Sequence, residues 1–337
     1  MENWRFFKRM APSAATAAVV KADAYGLGAE RAARSLAEAG ARIFFTATCA
    51  EALTVRAALG EGPQIFVLNG PTGEDAAALS GARLTPVLNC MAQIALWNAR
   101  GPAALHIDTG MNRLGLGPEE LAPAAVALKD AAVALVMSHL ACAATPGHEM
   151  NALQRTRFLD AASLFTKAPL SLAATAGALL GADYHFDLIR PGIGLYGSAG
   201  VDDGGAPLRP VATVEAPILQ VRTVEPGERF GYGATVTAAN KMRTATVALG
   251  YADGYLRALG GRGYGVIDGV RAPVLGRVSM DLTILDVSEA PAANPGAMVE
   301  FLGPNVPLED LAKLAGTAPY EMLTTFAGTV RRTGVRA

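Results

Sequence analysis

The sequence has no excess of charge of either sign, few cysteines and no long apolar run, and each absence removes a class of function. Its 29 Lys and Arg stand against 30 Asp and Glu, a formal net charge of -1 at neutral pH. Without a basic excess, nucleic acid and anionic membranes are not expected partners, and a small molecule is. The three cysteines, Cys49, Cys90 and Cys142, lack the close spacing of a zinc or redox motif, and an odd number does not build a disulfide framework. They fit a reduced, cytoplasmic setting, and no metal site is expected. Near the N-terminus Trp4, Phe6 and Phe7 are interleaved with Arg5, Lys8 and Arg9, which gives neither an apolar signal core nor a bilayer-spanning stretch. Composition leaves room for an exported precursor of different form.

With 337 residues the chain can bury a sizeable core, as one large barrel or, the expectation here, as two domains. Its first two thirds alternate short apolar or β-branched runs with longer Ala-rich stretches of helical spacing. Strands are expected at 17–21, 43–47, 65–69, 84–88, 103–107, 133–138, 170–173 and 187–189. Helices are expected at 29–39, 49–59, 119–130 and 149–165. Eight strand-then-helix repeats point to a closed (β/α)8 barrel rather than an open sheet. A Gly- and Pro-bearing run, 201–210, reads as a linker, so the domains are placed at 1–205 and 206–337. The second is mostly β, with strands at 214–221, 243–248, 265–267, 272–278, 282–287 and 298–302 and one helix at 307–315. The fold class is therefore α/β plus β.

Barrels of this kind carry their chemistry at the C-terminal ends of the strands. Five polar residues fall there: Lys21, Arg113, His139, Thr175 and Arg190. The loops after strands seven and eight commonly hold a phosphate, and here they contain Thr175 and Arg190-Pro191-Gly192-Ile193-Gly194. Small residues let backbone N–H groups approach phosphate oxygens, and a Thr hydroxyl can add a bond. The same glycines would also serve an ordinary tight turn. A lysine closing the apolar run Val19-Val20-Lys21 is costly to bury charged, and desolvation makes such an amine an imine former. Alone it could equally be a lysine at the sheet rim. Beside a phosphate anchor, it meets what pyridoxal phosphate requires.

Six ordered motifs then carry a resemblance to the pyridoxal-phosphate-dependent alanine racemases, from about Asn3 to the C-terminus. They are Val19-Val20-Lys21-Ala22-Asp23-Ala24-Tyr25-Gly26, Asp108-Thr109-Gly110-Met111-Asn112-Arg113-Leu114-Gly115, Arg190-Pro191-Gly192-Ile193, Gly231-Tyr232-Gly233-Ala234-Thr235, Gly250-Tyr251-Ala252-Asp253-Gly254 and Arg277-Val278-Ser279-Met280-Asp281. The resemblance implies a head-to-tail homodimer in which each β-domain completes the partner's site. It also implies that Lys21 holds the cofactor covalently and that Tyr232 arrives from the other subunit on the opposite face, a two-base arrangement suited to racemisation. Arg190 would face the ring nitrogen with His139 connected to it. Arg113 and the Met280 amide, the latter contributed across the dimer, would hold the substrate carboxylate, while Tyr25, Thr175, Gly192, Ile193 and Tyr320 would hold the phosphate. Tyr251 and Tyr320 would narrow the entrance, favouring alanine.

The chain departs from that family in four places. The usual first strand before Asn3 is absent, which implies a late start or an unpaired sheet edge. His106 stands where a carboxylated lysine often orients the substrate arginine, so neutral His106 or a bound anion such as chloride is expected to take that role. Kinetics should then respond to chloride or to pH between about 5.5 and 7.5. Leu27 replaces a histidine, and Thr175 replaces a serine while keeping the hydroxyl. Alternatives on the same scaffold are a serine or broad-specificity racemase and a decarboxylase, and outside catalysis a cofactor carrier. A decarboxylase must release the carboxylate that Arg113 would clamp, and a single-barrel carrier has no use for Tyr232, Tyr251 and Met280.

Overall fold

The computed structural model describes residues 1–98, 100–201 and 206–329. It divides into two compact units, Met1–Arg209 and Pro210–Ala337. Positions 202–205 of the expected linker, and with them the expected boundary after 205, lie outside the described residues.

The first unit lays down eight strands in chain order. They are β1 (Ala15–Thr16, continued by Ala18–Val19), β2 (Ile43–Thr46), β3 (Gln64–Val67), β4 (Thr85–Leu88), β5 (Ala103–His106), β6 (Val133–Met137), β7 (Leu170–Ser171) and β8 (Leu188–Ile189). From β1 to β7 each pairs in parallel with the next. The ring closes because Ala174 bridges Arg190 and because β8 pairs back with β1 through Ala15–Leu188 and Thr16–Ile189. The expected eight-stranded barrel is formed. Its strands read as continuous apolar runs because both faces are covered, as at Phe44, Phe45, Ile65, Phe66, Val87 and Leu105. Phe45 and Phe66 stack at 4.7 Å on neighbouring strands.

Local signals start the helices. Thr48 accepts the Glu51 N–H at the start of Cys49–Leu59, while the Glu51 carboxylate reaches back to Thr48 N–H. Pro118 opens Pro118–Ala127, where Glu120 accepts the Gly117 N–H. The helix expected over 149–165 runs as Glu149–Ala162 and tightens into a 3-10 turn, Ser163–Phe165. An additional helix, Glu2–Met10, is held by Asn3, whose side chain bonds Leu195 O and both backbone groups of Arg209.

Lys21 does not end β1; the strand stops at Val19, and Ala22, Asp23, Ala24 and Tyr25 follow with φ of 52°, 52°, 55° and 57°. Four consecutive non-glycine residues thus form one left-handed turn, which L-residues resist by roughly 1–2 kcal/mol each.

In the second unit six antiparallel strands form one sheet in the order Val270–Pro273, Tyr264–Ile267, Met298–Leu302, Val214–Val224, Met242–Val247, Thr283–Asp286. The sheet curls until Val274 bridges Leu285. Ile218, Val247, Leu285, Val299 and Phe301 fill its interior. The strand expected over 272–278 stops at Pro273, since Gly276 turns the chain at φ 71°. A short hairpin, Arg229–Phe230 with Val236–Thr237, adds to the expected elements. A second helix, Pro319–Thr329, follows Leu308–Ala315, where only one was expected. Among the described residues no helix is long and apolar enough to cross a membrane.

Candidate active site

Parallel pairing puts the segments after β1, β7 and β8 side by side at one end of the barrel. Val19 N–H donates to Pro191 O at 3.1 Å, so the Lys21 turn and the Arg190–Gly194 segment are neighbours. Burial and then the positive charge of Arg113 hold the Lys21 amine below its ordinary pKa; Glu51 opposes them and Arg190 adds to them. An amine so placed is more often neutral, and hence nucleophilic, than a surface lysine.

The adjoining segment forms a small cradle. Thr175, buried at the start of the short helix Thr175–Leu179, accepts the N–H of Gly192 at 2.9 Å and of Gly194 at 3.1 Å. With both lone pairs engaged, its hydroxyl hydrogen is left to donate. Gly192 must lack a side chain, because a Cβ there would run into Tyr25 Oη. Tyr25 packs on Tyr196 at 4.8 Å, and Tyr196 Oη donates to Val19 O. The Tyr25 phenol and the Thr175 hydroxyl thus converge on Gly192 beside the Lys21 turn, a candidate anion site.

Arg190 is buried and gives its hydrogen bonds to neutral acceptors: Ser171 Oγ at 2.5 Å, Ser138 O at 2.7 Å and Leu172 O at 3.3 Å. Burial pushes its pKa down to about 9, which keeps it protonated at neutral pH. His139 follows β6 as expected, but among the described residues its ring makes no hydrogen bond to Arg190 or to any other group. Desolvation first, and then the charge of Arg190, hold His139 well below its ordinary pKa, so it is neutral. The connection between the two is electrostatic, not a bond.

Arg113 sits on a loop that leaves β5 and returns to it. Asp108 Oδ1 accepts the N–H groups of Gly110 and Met111 at 2.8 Å, and Leu116 N–H donates to His106 O. Gly115, at φ 116°, is required because a Cβ would lie 2.7 Å from Asp108 N. The guanidinium is exposed, and among the described residues it has no hydrogen bond or ion pair.

Beneath it, His106 Nδ1 lies 2.8 Å from Asn89 Oδ1. The Asn89 amide nitrogen donates to Leu68 O and Val87 O, which fixes Oδ1 toward the ring. Nδ1 therefore carries the hydrogen and Nε2 the lone pair. Burial and then Arg190 push His106 down to about 4. His106 is thus a neutral acceptor throughout the neutral range, which moves its titration below the expected window of about 5.5 to 7.5.

The second unit presents its candidates at turns. Tyr232 is 72% exposed between Gly231 and Gly233, both at positive φ. Tyr251 N–H and Ala252 N–H donate to Ser279 O and Met280 O, fastening two motif turns together. A Cβ at Gly250 would collide with Met280 O, which accounts for that glycine. Met280 is 54% exposed. The helix bearing Tyr320 packs against the Tyr251–Asp253 turn, so the two tyrosines belong to adjoining elements.

Three residues of the barrel rim escaped the sequence reading. Asn89 follows β4, and asking for a polar residue at every strand end would have found it. Glu51 was visible as the fourth position of Thr48-Cys49-Ala50-Glu51, a helix-start signal, though not as a neighbour of Lys21. Gln154 is buried mid-helix; its amide donates to Thr109 Oγ1 and His139 O and accepts Ala141 N–H. It ties the Arg113 loop to the His139 loop, and no local pattern announces that.

The model of the alanine racemase N-terminal domain matches residues 1–200, and that of the alanine racemase C-terminal domain matches 211–334. A catabolic alanine racemase of Agrobacterium fabrum is 45% identical over 99% of this chain and 89% of its own. A biosynthetic one from the same organism is 46% identical over 96% and 88%. Among solved structures, alanine racemase from Bartonella henselae, with covalently bound pyridoxal phosphate, superposes with a TM-score of 0.91 at 34% identity, covering 96% of this chain and 93% of that one. The biosynthetic enzyme of Pseudomonas aeruginosa gives 0.92 at 35% identity, over 98% and 94%. Motifs, barrel rim and both matched halves agree, and this chain belongs to the alanine racemase family.

Proposed function

We propose that this chain interconverts L- and D-alanine with pyridoxal phosphate as cofactor, Lys21 and Tyr232 acting on opposite faces. The observation that carries the reading is the depressed Lys21 amine lying beside the Thr175–Gly192–Gly194 cradle. The residues fit the group: an anion cradle for the phosphate, an amine for the aldehyde and a buried cation, Arg190, for the ring nitrogen. Tyr25, Ile193 and Tyr320 match positions that would complete the phosphate contacts. When bound, the cofactor draws off the electrons left when the α-proton departs.

Around it the protein's own groups do the rest. Lys21 holds or returns a proton on one face, and Tyr232 of the partner subunit does so on the other. Arg113 and the N–H of Met280 of the partner subunit would hold the carboxylate, with neutral His106 offering its lone pair to orient the guanidinium. Arg190 keeps its proton, so it would offer the ring nitrogen a hydrogen bond but no proton, an arrangement that would disfavour transamination. His139 sits beside it as a neutral ring. Tyr251 and Tyr320 narrow the entrance toward a methyl-sized side chain.

The reading includes a head-to-tail homodimer, supported by the exposure of Tyr232 and Met280. It also includes a cytoplasmic location, supported by three free cysteines. The test is exchange of the α-hydrogen of L- and D-alanine with solvent deuterium, accompanied by inversion. Tyr232→Phe should slow proton transfer on one face roughly 10²- to 10⁴-fold. Rates equal to the parent's would remove Tyr232 from its role, and inversion of L-serine as fast as of L-alanine would replace the substrate assignment.

A further inference from the structure

The left-handed turn after Lys21 has a fastening that none of the six motifs contains. Glu51, on the first turn of Cys49–Leu59, places Oε1 2.9 Å from the N–H of Ala22 and Oε2 2.7 Å from the N–H of Ala47. Thr48 N–H also donates to Oε2, at 3.4 Å. One carboxylate therefore spans the gap between the peptide that follows Lys21 and the end of β2. The turn also has bonds of its own: Gly26 N–H to Ala22 O at 2.7 Å, Gly28 N–H to Asp23 O at 2.9 Å, and Ala29 N–H to Asp23 Oδ1 at 2.6 Å. Those close its far end. Ala22, at its entrance and exposed, has its N–H held by Glu51.

We propose that Glu51 is a positioning residue for the reactive amine of Lys21, strapping the first left-handed peptide to β2 so that the amine is presented at the rim. The proposal rests on the reading that Lys21 captures pyridoxal phosphate. Glu51 acts in two separable ways. As an acceptor, it holds a backbone conformation that Ala22 would otherwise leave. As a charge, it is the one carboxylate bearing on Lys21 among the described residues, opposing Arg113 and Arg190. The Lys21 charge in turn bears on His139. Losing the acceptor should misplace the amine; losing the charge should shift the pH at which it becomes neutral.

The experiment follows covalent capture of pyridoxal phosphate by the full chain across neutral to alkaline pH. In that step the Lys21 amine adds to the aldehyde carbon and one water leaves, so the rate tracks the neutral amine. The midpoint of the rate profile reports its titration, and the plateau reports its placement. Glu51→Gln loses the charge and leaves one acceptor oxygen, with its NH2 facing the N–H groups of either Ala22 or Ala47, so its midpoint should move to lower pH and its plateau should fall as well. Glu51→Asp keeps the charge but falls one methylene short, and its plateau should drop about tenfold, the size of one charge-assisted hydrogen bond, at an unchanged midpoint. Thr48→Ala removes the hydroxyl that accepts the Glu51 N–H, with its methyl, but leaves the carboxylate's contacts in place, and should match the parent in both readouts.

Borohydride reduction and peptide mapping locate the captured cofactor. An adduct on Lys21 with parental midpoint and plateau in both Glu51 variants overturns the proposal. So does a Thr48→Ala plateau as low as that of Glu51→Asp, which would make helix initiation the cause. An adduct on another lysine instead overturns the reading of Lys21 itself.

Discussion

Replacing Ala22 by glycine tests whether the turn after Lys21 is held against its own preference. At φ 52° and ψ 49°, alanine is in the left-handed well at a cost of roughly 1–2 kcal/mol, which glycine does not incur. Glycine in turn gives the unfolded chain more freedom, worth about 0.4–1 kcal/mol. The Ala22 methyl is exposed, so little burial is lost. The sum is a net stabilisation of about 0–1.5 kcal/mol. Ala24→Gly, at φ 55°, gains the same relief but gives up a fully buried methyl, worth about 0.8 kcal/mol. Ala22→Gly should therefore be the more stable of the pair by about that amount. Urea unfolding of both variants measures the difference, with the denaturant slope checked against the parent. A loss of more than about 1 kcal/mol in Ala22→Gly would refute the strain argument, since no buried contact of that side chain is available to explain it.

Further tests follow from other parts of the site. The folded-state pKa of His106, about 4, lies below the ordinary 6.5, so the unfolded chain takes up a proton first as pH falls. Stability should then decline with falling pH through that interval, by at most about 3 kcal/mol from this residue, and His106→Gln should flatten the decline in urea titrations. His139, also depressed, adds to it in the same direction. Thr175→Val leaves the Gly192 and Gly194 amides without their acceptor; the cofactor should leave the protein about tenfold or more faster on gel filtration. Gln154→Met fills the space but strands Ala141 N–H and the His139 carbonyl, and should cost about 2–4 kcal/mol by thermal unfolding while raising KM more than it lowers kcat.

The barrel was legible because β2 to β6 are mostly apolar runs of four or five residues and both faces are covered, so no competing pattern arises at 43–47 or 65–69. Helix Cys49–Leu59 was legible to the residue, because a side-chain cap starts it and Gly60 stops it. The turn after Lys21 was not, since Ala-Asp-Ala-Tyr carries no glycine to signal positive φ; only the fastenings on either side explain it. The strand expected to 278 failed on a single glycine inside an apolar run. Lys21, Thr175 and Gly192 could be found because strand ends are a place one can look. Asn89 and Gln154 act through which way an amide faces in an assembled barrel, and that is decided by neighbours 17 and 45 positions away in sequence.

Gly194 carries a further consequence. A Cβ there would sit 2.6 Å from the Phe7 ring and 2.8 Å from Thr175 Cγ2. The threonine methyl that stiffens the hydroxyl's rotamer therefore occupies the space that any larger residue at 194 would need. Evolutionary paths through these positions are correspondingly narrow: serine at 175 opens room that alanine at 194 could begin to use, but only if Phe7 also gives way. Three residues spread across nearly two hundred positions must drift together or not at all.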